Sequence, residues 1–258
     1  MTLVTTKTGS GHLHGLTPDQ KRRAEQLTSI FENDTTELRY GYTEDLHDGR
    51  GITAGRAGFT TRDGDALKVV EMYSKKLPQN HLAKFLPELK RLKTQNSGDT
   101  SHLRGYADEG KKAAHDPAFR AAQDQVVDQE YYEPSAKYAD EVGLKTALAR
   151  AVLYDSIIQH GDGDDPDGLP ALLKRTEKAV GGTPKRGIDE KKWLEGWLEG
   201  FLKIRRQDLE NPHPKDTQKV WRESVDRVDE FSSIAKSGNY DLHGPIKVDT
   251  PQHHASIA

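Results

Sequence analysis

Cysteine is absent from this sequence. Disulfides and thiolate metal sites are therefore excluded, while the compartment stays open, because secreted proteins without disulfides exist. No apolar run approaches the ~18 residues of a membrane-spanning helix. The first segment, "MTLVTTKTGSGHLHG", lacks the apolar centre of a secretory signal and reads as a flexible leader. Its His12 and His14, like His253 and His254 near the other end, read as solvated side chains rather than metal ligands. Neither charge sign dominates: 38 Lys and Arg stand against 41 Asp and Glu, a net charge of −3. That balance gives no case for nucleic-acid binding. Internal repeats are missing, as are the His-Glu-x-x-His, Gly-x-Ser-x-Gly and dinucleotide fingerprints. "GGTPKRG" lacks the Gly-Lys-Ser/Thr ending of a phosphate loop.

What is present is a polar chain of 258 residues, 33% hydrophobic and 31% charged. It is long enough to bury a core, as one large domain or two lobes. Thr17, Pro18 and Gln20 form a capping-box start for a helix running to Asn33. "LRYGYT" and "GRGITAG" read as short strands, with Asp48-Gly49 as the turn between them. "DGDALKVVEMYSKKL" predicts a helix capped by Asp63 or Asp65. Short helices follow around 80–93, then a helix interrupted near Pro134. "GLKTALARAVLYDSIIQHG" is the most apolar helix and the expected buried spine. Two amphipathic helices, "DEKKWLEGWLEGFLKIRRQDL" and "KVWRESVDRVDEFSSIAKSG", follow; Trp193, Trp197 and Phe201 share one face of the first. The pattern is mainly helical with one small β element, an α+β class, in which two helical lobes flank a groove.

Two carboxylates stand out. Glu32 falls in the last turn of the first helix, where the dipole disfavours negative charge and partial burial would favour the acid form. Asp48 sits in a polar turn with free N–H groups and stays ionised. That is the division of labour glycoside cleavage needs: one protonated carboxyl for the leaving oxygen, one ionised carboxylate toward the sugar or water. Thr53, on the return strand, can hold a water near Asp48. The bland alternative is an exposed helix end, a turn aspartate and a structural threonine. Asp155, inside the apolar helix, demands a partner, and Arg205 is the candidate. The loop "HGDGDDPDG" fails the EF-hand pattern at Pro166; it is a solvated turn or an acidic wall for a cationic ligand.

The segment "FENDTTELRYGYTEDLHDGRGITAGRAGFTTRDGDAL" closely resembles the N-terminal active-site region of glycoside hydrolase family 46 chitosanases, Bacillus-type branch. "LARAVLYDSIIQHGDGDDPD", "EKKWLEGWLEGFLKIRRQDL" and "SIAKSGNYDLHGPIKV" resemble later segments of the same proteins, in the same order. The likeness covers residues 16–248, leaving a leader (1–15) and a tail (249–258). It implies a lysozyme-like α+β fold, mainly α-helical: a single catalytic domain whose two lobes enclose a substrate cleft, with a small β-sheet. It implies a secreted enzyme that cuts β-1,4 links between glucosamine units in chitosan, endo-acting and with inversion. Glu32 then matches the general acid, Asp48 the general base and Thr53 the threonine that helps place water. Asp65 matches an aspartate that binds a glucosamine amine. Tyr42, Arg50 and His160 match cleft residues. Asp155 and Arg205 match the ion network behind the acid, with Arg227 as a further arginine and Arg222 as its rival.

Two positions depart from the family pattern: Ile52 stands where an aromatic is expected, and Ala54 where close relatives carry cysteine. Both flank Thr53 and leave the acid and base untouched. No cofactor or metal is expected. The expected partners are chitosan and glucosamine oligosaccharides, with no nucleic acid and no membrane, and the chain is expected to be monomeric. Three rival readings stand beside this one: a muramidase acting on peptidoglycan, a catalytically silent glycan-binding module, and a helical interaction protein using residues 189–236.

Overall fold

In the computed structural model, residues 15–184, 190–213 and 218–258 are described, with backbone alone at 190–194 and 218–220. His12 and His14, nearly all of the expected leader and the Trp193 side chain lie outside the described residues. The chain forms two compact units. One is discontinuous, built from the residues up to Glu37 and from Glu133–Ala258; the other is the single run Leu38–Tyr132.

Helix α1 (Pro18–Asn33) opens the discontinuous unit. Its capping box is present in full: Thr17 Oγ1 accepts from Gln20 N, and Gln20 Oε1 accepts from Thr17 N at 2.9 Å. The helix ends as Asp34 turns left-handed at φ 53°, which places Glu32 in the last turn.

The contiguous unit begins with a three-stranded antiparallel sheet of β1 (Thr43–Asp45), β2 (Ile52–Ala54) and β3 (Phe59–Thr60). The first strand starts only where "LRYGYT" ends, and β3 is too short to leave an alternating pattern in the sequence. Gly51, between β1 and β2, has φ +76°, and a Cβ there would stand 2.3 Å from Thr61 Oγ1, so the turn needs glycine on both counts. Helix α2 (Asp65–Lys76) follows. Neither Asp63 nor Asp65 is its cap: Gly64 occupies that position at φ 93° with no side-chain bond. A 3₁₀ turn (Ala83–Phe85), α3 (Leu86–Gln95), α4 (Tyr106–Ala113) and α5 (Pro117–Val127) complete the unit, which closes on a π-helical turn (Asp128–Tyr132). Its core lies between α2 and α5, where Val70, Tyr73, Phe119 and Val126 are buried.

The chain then re-enters the first unit through α6 (Glu133–Val142), which runs on directly from the π-helical turn, so the helix expected to be interrupted near Pro134 widens just before it instead of breaking. Helix α7 (Ala147–His160) is the expected spine: 11 of its 14 residues are buried. A helix apolar all round is a helix packed all round, and α7 contacts α1, α6, α8 (Leu169–Val180) and α11 (Val225–Lys236). Each fully buried Leu or Val here contributes about 1.5–3 kcal/mol. Helix α9 (Glu190–Glu210) packs on α8 and α11, with Trp197 stacked on Phe201 at 5.4 Å. The second amphipathic segment is not one helix. It breaks at Ser224 into α10 (Gln218–Glu223) and α11.

The last ten residues are not a loose tail. Strand β5 (His254–Ile257) pairs antiparallel with β4 (Ile246–Asp249), and Ile257 is buried opposite Ile246. His253 is held as well, edge-on to Phe31 at 5.3 Å and 3.0 Å from Asp226 Oδ2. One apolar residue at the right strand register anchors a segment whose composition otherwise reads as loop.

Among the described residues no helix is long and apolar enough to cross a membrane.

Candidate active site

The site residues expected from sequence fall into two groups, one in each unit.

In the discontinuous unit, Glu32, Asp155, His160, Arg205 and Arg227 form one connected network. Arg227 is its hub. Its Nη1 donates to Glu32 Oε1 at 2.7 Å, its Nη2 to Asp155 Oδ1 at 2.6 Å and its Nε to Asp155 Oδ2 at 3.1 Å. Arg205 Nη2 donates to Asp155 Oδ2 at 2.6 Å and to Gln159 Oε1 at 2.5 Å. Arg222 stands apart, donating to Glu210 O at 3.2 Å, so the geometry selects Arg227 over its rival. Burial opposes the ionisation of Asp155, but the Arg227 and Arg205 charges outweigh it and hold the carboxyl below its ordinary range. Burial likewise pulls Arg205 down to about 10. For Arg227 the opposite holds: burial works against its charge, yet Asp155 and Glu32 raise its pKa. Glu32 is more open than expected, with 39% of its side chain exposed, against 3% for Arg227. The arginine, not burial, dominates its surroundings.

His160, matched to a cleft residue, has a fully buried side chain. Its Nδ1–H donates to Asp167 O at 2.9 Å, its Nε2 accepts from Arg205 Nε at 3.3 Å, and its ring meets Trp221 edge-on at 5.1 Å. Burial, then the Arg205 charge, depress its pKa to about 3. This neutral imidazole props Arg205 from behind rather than presenting a face to solvent.

In the contiguous unit the β1–β2 connection carries Asp48, which is exposed. Its Oδ1 accepts from Arg50 N at 2.9 Å, and its Oδ2 from Arg50 Nε at 2.9 Å and Nη2 at 2.7 Å. The side-chain bonds to Arg50 hold its pKa below the ordinary value, so Asp48 is ionised as expected. Thr53 is central in β2, paired with Glu44 on one side and Thr60 on the other. It is buried, and its Oγ1 has no hydrogen-bond partner. The two departures flank it: Ile52 is buried and Ala54 half-buried.

Asp65, the first residue of α2, accepts through Oδ1 from Thr60 N and Ala66 N, both at 2.8 Å. Burial outweighs these bonds and pushes its carboxyl up to about 6. Tyr42 donates to Glu44 Oε2 at 2.8 Å, and that bond raises its pKa. Tyr42 and Arg50 are half-buried. Sequence reasoning missed Gln159, which shares Arg205 with Asp155. Its only signal was its place one turn after Asp155 on the same helix face.

The chemistry available is therefore an arginine-bound carboxylic side chain at a helix end, a separately ionised carboxylate and a buried free hydroxyl.

Comparison with known proteins agrees. The model for Glycosyl hydrolase family 46 matches residues 26–246. A chitosanase of Bacillus subtilis (strain 168) is 62% identical over 239 residues, 93% of this chain and 85% of the relative. The crystal structure of native chitosanase from Bacillus subtilis MY002 superimposes with a TM-score of 0.80 at 60% identity, covering 95% of this chain and 100% of that one. A chitosanase from Gynuella sunshinyii, solved with chitotetraose, superimposes with a TM-score of 0.78 at 46% identity, covering 94% and 99%.

Proposed function

We infer the reaction from one premise: this chain belongs to glycosyl hydrolase family 46. It is a glycosidase, and it hydrolyses chitosan, the activity for which its 62% identical relative is named. Glucosamine oligosaccharides are its ligands; a structural neighbour at 60% identity, a glutamate-to-alanine mutant, was solved with six GlcN units.

Glu32 protonates the glycosidic oxygen. Asp48, with Thr53, activates water on the opposite face of the sugar, so that the link is cut with inversion. Chitosan is largely without N-acetyl groups, so the substrate offers no neighbouring carbonyl nucleophile and the enzyme supplies the second carboxylate itself. The observation that carries the assignment of Glu32 is its bond to Arg227, which ties an open carboxyl to the buried Asp155–Arg205 pair. Catalysis needs such a fixed direction as much as it needs a proton. The unpartnered Thr53 hydroxyl supports its role with water. Asp65 receives a substrate ammonium when ionised, while Tyr42 and Arg50 contact the sugar chain. His160 contributes from behind, through Arg205. The enzyme works outside the cell, as a monomer, where its polymeric substrate is found.

The test is reducing-end release from highly deacetylated chitosan by wild type and Glu32→Gln, with chitin and peptidoglycan alongside. Wild type cuts chitosan alone, and the variant is slower by on the order of 10²–10⁴. Full activity in Glu32→Gln would remove Glu32 from the mechanism. Activity on peptidoglycan alone would make the protein a muramidase. The anomer first released, followed by proton NMR, reports inversion.

A further inference from the structure

Three groups outside the catalytic set converge from distant parts of the chain. Asp167 closes the acidic loop between α7 and α8, Asp208 lies in the last turn of α9, and His213 follows that helix. One carboxylate oxygen of each aspartate and one ring nitrogen of His213 lie within 4.8 Å of one another. Both aspartates are buried. His213 is exposed over 58% of its side chain and leaves a way in from solvent.

Ordinary ion pairing explains part of this cluster. His213 Nδ1 contacts Asp167 Oδ1, and His213 N donates to Asp167 Oδ2 at 2.9 Å. Arg175 Nη2 donates to Asp208 Oδ1. What pairing leaves over is Asp208 Oδ2 and Arg175 Nε, each buried and without a hydrogen-bond partner. His160 Nδ1 is 3.8 Å from Asp208 Oδ2, and its proton is committed to Asp167 O. A buried carboxylate oxygen with no hydrogen-bond partner, beside a second buried aspartate and an imidazole, is a place for a cation.

We propose that Asp167, Asp208 and His213 bind one divalent cation of the zinc class. The donor set selects the metal: an imidazole with two carboxylates suits zinc better than calcium or magnesium, which take oxygen alone. Tetrahedral ligands at zinc distances stand roughly 3.4 Å apart, so the widest separation closes by about an ångström while His213 Nδ1 and Asp167 Oδ1, now in contact, move apart by about as much. Arg175 keeps Asp208 Oδ1, leaving Oδ2 for the metal, and solvent fills the remaining positions. The bond from His213 N keeps Asp167 in place as its carboxylate turns. A cation here would pin the acidic loop to the end of α9, beside His160 and the arginine it props. The site escapes motif reading because its ligands are 41 and 5 residues apart (167 to 208, 208 to 213), a spacing shared with no short zinc pattern.

The experiment is zinc binding to the full chain, stripped with EDTA and titrated with zinc sulfate by calorimetry, with bound metal counted by elemental analysis. Calcium chloride serves as the hard-cation control, and His254→Ala as the control for surface histidines. The expected result is one tight equivalent of zinc and a raised melting temperature. Affinity falls at least about 10-fold in His213→Ala and in Asp208→Asn, and is unchanged in His254→Ala. His213→Ala removes an exposed side chain and keeps the fold, so it decides the matter if Asp208→Asn unfolds. No stoichiometric zinc in wild type, or equal affinity in His213→Ala, overturns the proposal. Chitosan hydrolysis by the stripped protein is a separate reading, and its presence or absence leaves the zinc result standing.

Discussion

Arg227 Nη1 lies 2.7 Å from Glu32 Oε1, across 195 residues of sequence. The same guanidinium spends its other two nitrogens on Asp155. A single side chain thus joins an open carboxyl to a fully buried one. Arg227→Ala leaves Asp155 with Arg205 as its remaining arginine and strips Glu32 of its partner. Loss of one member of a buried charge cluster costs about 3–5 kcal/mol, seen as a lower melting temperature. Activity on chitosan falls as well. Arg227→Lys keeps the charge but not the fork, so it recovers part of the stability and little of the activity.

Thr53→Val separates stability from catalysis. The hydroxyl is buried without a partner, so replacing it with a methyl group of similar shape leaves stability unchanged or raises it by up to about 1 kcal/mol. If the hydroxyl places water, kcat drops while the melting temperature does not. A fall in both would mean that Thr53 acts only in packing.

Arg50 controls the ionisation of Asp48. Its side-chain bonds keep the carboxyl below the ordinary range, and Arg50→Gln lets that pKa rise. The ionised fraction of Asp48 is then lost at a higher pH than in wild type. The acid limb of the kcat/KM profile on chitosan oligosaccharides moves to higher pH, and its alkaline limb stays where it was.

Asp65 titrates near pH 6 because it is buried. Its folded pKa is raised, so the folded state holds the proton more tightly than the unfolded one. The stability this contributes is full below about pH 4 and lost as pH rises through 6. Affinity for an ammonium group runs the other way and improves through the same window. KM therefore falls between pH 5 and 7 in wild type, and this step is absent in Asp65→Asn.

How much of this the sequence announces depends on the range of the interaction. The capping box at Thr17, the end of α1 after Glu32 and the burial of α7 are local signals, and each is present as read. Asp155 advertised a partner because a carboxylate in an apolar helix needs one, and Arg205 is there. The resemblance pointed to Arg227 with Arg222 as its rival, and Arg227 is there; spacing alone does not separate the two, because the helix break at Ser224 shifts which side chains face inward. Strand β5 was hidden for a similar reason: a polar segment joins a sheet through backbone bonds and one buried Ile257, leaving little pattern. The Asp63 or Asp65 cap failed because Gly64 takes the left-handed position itself. The convergence of Asp167, Asp208 and His213 is purely tertiary, and nothing short in the sequence reports it.

The split of the first unit into two stretches sets an order of events on the ribosome. Leu38–Tyr132 is one run and has all of its own unit available once Tyr132 has emerged. Helix α1 has no such independence: its glutamate waits 195 residues for Arg227. At roughly 5–20 residues per second, that wait lasts about 10–40 s. Through that time Glu32 is an ordinary helix-end carboxylate, and the protein is made with its clamp among the last parts to arrive.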